Sequence, residues 1–312
     1  MNPLRLLLTI YAHLERPLLR FNYWLVRSPL VRWPVTRQLL WWGVFRPISY
    51  AGAAGQPMTA DEAIELLRAA GEEGVIAVGP CGCRGVHRGC DHPIRTDFTV
   101  YEGVEAWSRA HPAQYQVISL AEAEAIVRDC RSRGMIQVFY RTGMGGGAGY
   151  ALCNCCLDGC LPLMNRRAYR NYRFIRGTQM AQVDADRCTA CGTCVGVCAF
   201  GARKPDGSLD IQHCYGCGLC ADICPARAVT MVPRNYSGGD YRPQADIGRK
   251  APKEGDFNRP EQVVTEVTFW GRRPMVGLRR PFRSCANEGC RRRPTPGAKR
   301  PKRAISIGLN RW

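Results

Sequence analysis

The chain has 312 residues, 18 of them cysteine, and a formal net charge of +18 at pH 7. This length is enough for one large or two modest domains with a hydrophobic core, which excludes the small secreted scaffolds whose disulfides replace a core. So many cysteines in a chain of this size instead indicate metal binding in a reducing compartment.

The positive charge is confined to the two ends of the chain. Residues 1–50 contain seven arginines and one glutamate, a net charge of +6. Residues 270–312 contain thirteen lysines and arginines and one glutamate, a net charge of +12. Because residues 51–269 are then neutral overall, we expect any anionic partner to bind at the ends.

The sequence shows no recognisable targeting segment. The apolar stretch 4–12 is interrupted by Arg5 and followed by His13, and no small-residue cleavage site comes soon after it. No twin-arginine leader is present, and no apolar run reaches the length of a membrane span. We therefore expect a cytoplasmic protein.

Residues 1–57 are predicted to form a basic, aromatic-rich helical arm. Four prolines are expected to break it into shorter helices: Pro17, Pro29, Pro34 and Pro47. Arginine and leucine alternate with four tryptophans, Trp24, Trp33, Trp41 and Trp42, a composition typical of a segment in a membrane interface. Packing against the rest of the protein or against a partner subunit is the alternative, and the sequence does not decide between them.

Residues 58–165 are predicted to form a small cysteine-rich α/β domain with an internal helix–strand repeat. Thr59-Ala-Asp-Glu62 and Ser119-Leu-Ala-Glu122 are capping boxes that begin helices 60 residues apart. A glycine ends each helix, a short β run follows at 75–78 and 135–139, and each run leads to cysteines. We expect the two strands to pair and to hold one shared site.

Seven cysteines of this domain form a candidate third metal centre: Cys81, Cys83, Cys90, Cys153, Cys155, Cys156 and Cys160. They supply enough thiolates for an Fe–S cluster, which we favour, or for zinc. Asp97 offers an oxygen ligand and His87 or His92 a nitrogen ligand, although each histidine by itself is more typical of a surface loop. Free buried cysteines, a catalytic thiol pair and a redox-switch disulfide are the other interpretations.

Three other features of the middle of the chain carry weaker signals. Cys130 lies within a predicted helix and is expected to be buried. The loop 143–149 loosely fits a dinucleotide fingerprint, but a cysteine cluster follows it where a helix is required, so we interpret it as a hinge. Residues 166–182 are predicted to be a basic aromatic connector, either a docking face for a redox partner or a solvated helix.

Residues 183–232 contain one cysteine pattern twice. Each cysteine of the first copy has a counterpart 26 residues later. The C-x2-C-x2-C-x3-C spacing holds a cubane [4Fe-4S] cluster, with the fourth cysteine of each run bound to the other cluster. The spacing therefore predicts two [4Fe-4S] clusters, the first bound by Cys188, Cys191, Cys194 and Cys224 and the second by Cys214, Cys217, Cys220 and Cys198. A matched double run of eight cysteines fits zinc or disulfides poorly.

The segment from Val183 to Val232 resembles the bacterial two-cluster ferredoxins, although it has Ala199 where that family usually has proline. Three upstream motifs extend the resemblance: Gly79-Pro-Cys81-Gly-Cys83-Arg84, Cys90-Asp-His-Pro93-Ile94 and Cys153-Asn-Cys155-Cys156. With them, Thr59 to Val232 is similar to bacterial and archaeal 4Fe-4S proteins that have a cysteine-rich domain ahead of the ferredoxin. Members of that family often carry a further cysteine at the place of Asp97 and a denser cysteine run at 157–160. The resemblance implies an α+β architecture more than an activity.

Residues 233–312 are predicted to be a loop and a basic, low-complexity tail that is disordered from Gly271 onward, with one short strand at 263–270. Cys285 and Cys290 are too few for a metal site. The tail has no folded nucleic-acid module, so we expect no specific nucleic-acid recognition.

These features predict an iron–sulfur electron-transfer protein with an acidic redox partner protein and peripheral contact with an anionic membrane surface. One alternative is an oxidoreductase, or a subunit of one, with its chemistry at Cys81 and Cys153. Another is an Fe–S protein associated with nucleic acid through its basic tail. The sequence favours a carrier or subunit over a stand-alone enzyme and identifies no catalytic residue.

Overall fold

The computed structural model describes residues 3–29, 33–40, 42–43, 53–87, 89–142, 149–169 and 174–234. The predictions for the glycine-rich loop at 143–148 and for the tail from residue 235 onward, including Cys285 and Cys290, lie outside the described residues.

The N-terminal arm consists of α1 (Pro3–Arg27) and α2 (Pro34–Leu40). The expected break at Pro17 is wrong, because α1 continues through it. Leu8 and Ala12 before the proline and Leu25 after it are all buried, and this packing holds the helix together where the proline removes a hydrogen bond. Within the described residues, no helix combines the length and apolarity needed to cross a bilayer.

A six-stranded antiparallel sheet forms the centre of the molecule. Its strands are β1 (Ala53–Met58), β2 (Ile76–Pro80), β3 (Arg95–Thr99), β4 (Gln116–Ile118), β5 (Ile136–Thr142) and β6 (Gly149–Cys155), in the order β1-β5-β6-β3-β2-β4. Strand β1 was predicted to be part of the arm. As an edge strand it accommodates Pro57, which has no N–H to donate to a neighbour.

The two repeats each contribute a helix and a hairpin, not a helix and a strand. The first repeat is α3 (Ala60–Glu73) with β2 and β3, and the second is α6 (Leu120–Ser132) with β5 and β6. Both predicted capping boxes are present at Thr59 and Ser119. The expected pairing of β2 with β5 is wrong, because β3 and β6 lie between them and join the two hairpins.

Helices cover both faces of this sheet. On one face α3 and α6 bury an apolar core that includes Leu67, Phe98 and Leu152. The other face is covered by α1, α4 (Gly82–Val86), α5 (Glu102–Ala110) and α7 (Leu161–Tyr169). Cys153 and Cys155 alternate with the residues of the first core along β6, and they contribute to this second core.

The C-terminal part of the described chain is built on a two-stranded antiparallel sheet of β7 (Gln179–Val183) and β8 (Val229–Pro233). Strand β7 begins inside the predicted connector and belongs to this sheet. Two short helices, α8 (Thr193–Val197) and α9 (Leu219–Asp222), follow glycines in the left-handed conformation, Gly192 and Gly218. The sequence repeat of 26 residues is therefore also a repeat of local backbone geometry.

The C-terminal part packs on the central sheet through the connector. The N–H of Ile175 donates to the carbonyl of Gly55 at 2.9 Å, and the N–H of Gly177 donates to the carbonyl of Tyr215 at 3.0 Å. An ion pair joins Arg131 of α6 to Asp222 of α9. The connector therefore lies between the two parts and bonds to both.

Two adjacent leucines test whether α1 is an integral part of the fold. Leu8 is 3% exposed and Leu7 is 45% exposed. We expect Leu8→Ala to lower the free energy of unfolding by about 2–5 kcal/mol, because it leaves a cavity in the core. Leu7→Ala should change it by less than about 0.5 kcal/mol. Thermal unfolding of the anaerobic protein is the measurement, and equal effects of the two substitutions would show that α1 does not pack as described.

Candidate metal centres

The eight cysteines of the C-terminal repeat line two cavities. The first is lined by Cys188, Cys191, Cys194 and Cys224. The second is lined by Cys214, Cys217, Cys220 and Cys198. Each cavity thus collects three cysteines from one run and the fourth from the other, and these are the two sets that the spacing predicts. Iron ligation by these side chains stays a prediction.

The backbone around both cavities donates hydrogen bonds to sulfur. The N–H of Ala202 donates to Sγ of Cys198 at 3.2 Å, and the N–H of Ala228 donates to Sγ of Cys224 at 3.3 Å. The two bonds are equivalent under the sequence repeat. N–H···S bonds of this kind stabilise the negative charge of a thiolate bound to iron, so the backbone fits the predicted ligands.

Arg203 is a functional candidate that sequence reasoning missed. Its side chain is buried and lines both cavities. Its Nε and Nη2 both donate to Sγ of Cys194 at 3.2 Å, while no described residue accepts a hydrogen bond from its buried Nη1. A buried cation with an unused N–H beside four cysteines fits an anionic cluster in the first cavity. Cysteine spacing carries no signal for this residue.

The two cavities differ in their exposure to solvent. Cys191 of the first is exposed, and hydrogen bonds from Thr193 lower its pKa. In the second, burial raises the pKa of Cys217 to about 11 and that of Cys220 to about 12. Phe200, Tyr215 and Leu219 line this second cavity and also pack in the apolar core that contains Cys155 and Cys160. The lining of the second cavity therefore shares an apolar core with two upstream cysteines, whereas the first cavity has an exposed cysteine at its rim.

Four of the seven upstream cysteines form one group, of which Cys155 and Cys160 are buried and Cys81 and Cys83 partly buried. We refer to it as the four-thiol group. Cys83 lies within hydrogen-bonding reach of both Cys81 and Cys160, and Cys160 lies within reach of Cys155. Cys81 and Cys83 come from the turn into α4, whereas Cys155 ends β6 and Cys160 precedes α7. Three separate segments of the chain thus bring their thiols to one place.

These four side chains are neutral thiols unless a cation draws off their protons. The hydrogen bond with Cys83, followed by burial, raises the pKa of Cys81 well above its usual range, and the bond with Cys160 does the same for Cys83. The bond with Cys160 lowers the pKa of Cys155, but burial and the neighbouring thiols together outweigh it and raise the value to about 12. Four thiols at this separation match the donor set of an Fe–S cluster or of zinc.

Cys153 is next to the four-thiol group and is paired with an acid. It lies opposite Asp97 where β6 pairs with β3, and its Sγ donates to Oδ1 of Asp97 at 2.8 Å. Burial, reinforced by the nearby Glu15, raises the pKa of Asp97 to about 7. Burial also raises the pKa of Tyr115, whose ring lies over Gly79. Titratable groups therefore surround the upstream thiols.

Glu15 is a second residue that sequence reasoning missed. It projects from α1, accepts a hydrogen bond from Nε1 of Trp107 at 2.9 Å, and lies over Gly82 at the start of α4. Burial raises its pKa. Glu15 is the single acidic residue of residues 1–50. Because its carboxylate faces the protein, the exposed side of α1 has no carboxylate among the described residues of the arm.

The remaining upstream cysteines form a separate pair. Sγ of Cys90 lies 3.4 Å from Sγ of Cys156. Arg84 is buried between the two thiol groups, and its guanidinium interacts with Cys81 and Cys155 of the first and with Cys156 of the second. The structure therefore divides the seven cysteines, which the sequence places in one candidate centre, into the four-thiol group, Cys153 with Asp97, and the Cys90–Cys156 pair.

The two candidate histidines occupy different environments. His87 is buried, stacks on Tyr23 at 4.4 Å between ring centroids, and bonds to the carbonyl of Gly159, so it is not the surface residue that we expected. His92 is partly exposed and lies beside Cys90 and Cys156. Cys130 is buried in α6, as predicted.

Comparison with known proteins identifies one segment of the chain. A family model described as a 4Fe-4S binding domain matches residues 181–204. No curated protein matches the chain, and neither does any solved structure. The chain is therefore an iron–sulfur protein with a 4Fe-4S binding domain and at least one [4Fe-4S] cluster, of the class that serves in electron transfer.

Arg203 is expected to raise the reduction potential of the cluster beside it. Reduction adds one negative charge, which the buried guanidinium stabilises. We expect Arg203→Met to lower that potential by about 40 mV, the equivalent of about 1 kcal/mol of lost charge-assisted hydrogen bonding. Anaerobic potentiometry followed by EPR measures it. Lys204→Met is the control, since it removes the same charge from a solvent-exposed neighbour and should have less than half the effect. An equal shift in both variants would contradict a specific role for Arg203.

Proposed function

We propose that the protein is a one-electron carrier with two [4Fe-4S] clusters, one in each cysteine-lined cavity. The observation that supports this proposal is the division of the eight cysteines between the cavities, three from one run and one from the other in each. Cross-ligation ties the two halves of the repeat together and keeps the clusters close, which is what transfer between them requires.

The surroundings of the cavities suggest a direction for the electron path. The second cavity shares an apolar core with Cys155 and Cys160, whereas the first has the exposed Cys191 at its rim. The cluster in the second cavity is then the internal relay, and the cluster in the first cavity exchanges electrons with the redox partner. The exposed end is where a soluble partner can approach most closely.

The four-thiol group is proposed as a third metal centre that extends this path. Its support is the convergence of four thiols, two buried and two partly buried, whose raised pKa values leave them neutral without a metal. It holds either a third Fe–S cluster or zinc, and only the first would carry electrons.

A second candidate function is an oxidoreductase that couples the arriving electrons to proton transfer. The observation that favours it is Asp97, which is hydrogen-bonded to Cys153 and titrates near neutral pH, with a pKa of about 7. A group with that pKa can hold and release a proton at the working pH. The nucleic-acid alternative depends on the basic tail, which lies outside the described residues.

Single serine substitutions test the crossed ligation. We expect Cys198→Ser and Cys217→Ser to remove the same EPR component of the reduced protein, and Cys194→Ser to remove the other. Each should lose about four of the irons, with a wild-type content of about eight, or of about twelve if the four-thiol group also holds a cubane. Cys130→Ser is the control and should keep every signal. Loss of one common signal from Cys198→Ser and Cys194→Ser would contradict the crossed arrangement.

We further propose that α1 binds the surface of an anionic membrane. One side of the helix packs on the protein, while the opposite side exposes large apolar side chains at intervals of three or four residues. They are between 42% and 60% exposed: Leu7, Ile10, Leu14, Leu18, Phe21 and Trp24. Such a stripe, unusual on a soluble surface, is typical of helices that lie in a membrane interface.

The positive charge of the N-terminal arm supports an anionic lipid surface as the partner that covers this apolar stripe. Residues 1–50 carry a net charge of +6, and their one acidic residue, Glu15, faces the protein. Arg20 and Arg27 are exposed on the same helix, and Trp33 follows it with 71% exposure. Arginine and tryptophan beside an apolar stripe match the headgroup and acyl layers of an anionic bilayer.

Leu14→Asp tests this surface. We expect about tenfold weaker binding to vesicles that contain phosphatidylserine. The substitution removes apolar area that the membrane would bury and adds a negative charge, which the anionic lipids repel. Sedimentation with vesicles measures the binding. Ile211→Asp, at a residue of the C-terminal part that is 50% exposed, is the matched control and should bind normally. If the wild-type protein does not bind the vesicles but dimerises through α1, the stripe is an interface with a second copy of the chain.

A further inference from the structure

Two thiols and one imidazole converge beside the four-thiol group, and the electron path does not use them. Cys90 and His92 lie on the loop after α4, and Cys156 directly follows β6. Sγ of Cys90 is 3.4 Å from Sγ of Cys156, and the ligand atoms of all three residues lie within 4.8 Å of one another. Cys156 is buried, whereas Cys90 and His92 are partly exposed.

The hydrogen bond of His92 defines which ring nitrogen is available. Its Nε2 lies 3.3 Å from the carbonyl oxygen of Arg133. A carbonyl only accepts, so Nε2 carries a proton, and in the neutral ring Nδ1 then keeps a lone pair. That Nδ1 is buried, and no described residue provides it with a hydrogen-bond partner. Metal-binding histidines characteristically donate their other ring N–H to a carbonyl in this way.

The Sγ atoms of Cys90 and Cys156 both accept backbone hydrogen bonds, which favour the thiolate form that binds a cation. The N–H of Gly159 donates to Sγ of Cys156 at 3.2 Å, and the backbone N–H of His92 donates to Sγ of Cys90. A Cβ at Gly159 would lie 2.8 Å from Sγ of Cys156 and 3.0 Å from Sγ of Cys90, so the backbone there lies directly against the pair. Two thiolates on one tetrahedral zinc are about 3.8 Å apart, so only a small widening of the pair is needed.

We propose that Cys90, His92 and Cys156 bind a single zinc ion, distinct from the iron–sulfur centres. Two thiolates and one imidazole are a donor set that zinc accepts, and three protein ligands leave the fourth position to water or an exogenous ligand. The partly exposed Cys90 and His92 place that position within reach of solvent. This inference stands whether or not the four-thiol group holds iron.

Zinc-edge X-ray absorption of the full-length protein tests the site, because iron–sulfur clusters do not contribute to that edge. The protein is produced with zinc in the medium and isolated without oxygen, and zinc and iron are counted. We expect one zinc per chain, in addition to any that the four-thiol group holds, with two sulfur ligands at about 2.3 Å, one nitrogen at about 2.0–2.1 Å and one further light atom. His92→Gln should weaken zinc binding at least tenfold and leave the iron content unchanged.

His111→Gln is the matched control, since this ring also bonds to a backbone carbonyl, that of Ala12. Cys90→Ser should also weaken zinc binding, because it removes one of the two thiolate ligands. Its control is Cys130→Ser, since Cys130 is another thiol that packs near Cys156. The controls should retain zinc. Absence of zinc, a zinc content that His92→Gln leaves unchanged, or a Cys90–Cys156 disulfide in the anaerobic protein would each overturn the proposal. Unchanged zinc with four sulfur ligands would place all of the zinc in the four-thiol group.

Discussion

A buried thiol ionises only where nearby positive charge or hydrogen bonds stabilise the thiolate, and this constraint governs both halves of the molecule. Burial raises the pKa of Cys217 to about 11 and that of Cys220 to about 12, and burial together with neighbouring thiols raises that of Cys155 to about 12, so none of these side chains ionises by itself. A bound metal removes their protons and converts each group of thiols into a cross-link. In the proposed four-thiol centre such cross-links would join distant segments, for example Cys83 with Cys160, so metal binding there would be thermodynamically coupled to folding.

Buried arginines complete this electrostatic design. Arg203 donates two hydrogen bonds to Cys194, and Arg84 lies between two groups of thiols, where it also donates to the carbonyl of Asn154 at 2.8 Å. A buried cation beside metal-bound thiolates offsets part of their negative charge and favours the reduced state of a cluster. Glu15 and Asp97 also lie at the upstream site, where burial disfavours their negative forms. The upstream site therefore combines a buried cation with two carboxyl groups that burial favours in the neutral form.

Features that depend on local interactions could be predicted from the sequence. Both capping boxes occur where the sequence predicts them, because a Ser or Thr bonds to the backbone three residues later. The hairpin partners β3 and β6 were missed, and with them the contact of Asp97 with Cys153, because strand pairing depends on residues far apart in the chain. Pro17 likewise does not interrupt α1, since burial of Leu8 and Ala12 outweighs its local preference.

The sequence by itself determined that this is an iron–sulfur protein with a duplicated cysteine run, since gaps of two and three residues constrain the backbone to wrap one cluster. Only the tertiary structure decided how the upstream cysteines are grouped. Cys155 and Cys156 are neighbours in the chain, yet one joins the four-thiol group and the other approaches Cys90, because successive residues at the end of a strand point in different directions. The same structure placed His92 at the Cys90–Cys156 pair and left one side of α1 exposed. These features depend on contacts between segments that are distant in the chain, and local residue spacing does not encode such contacts.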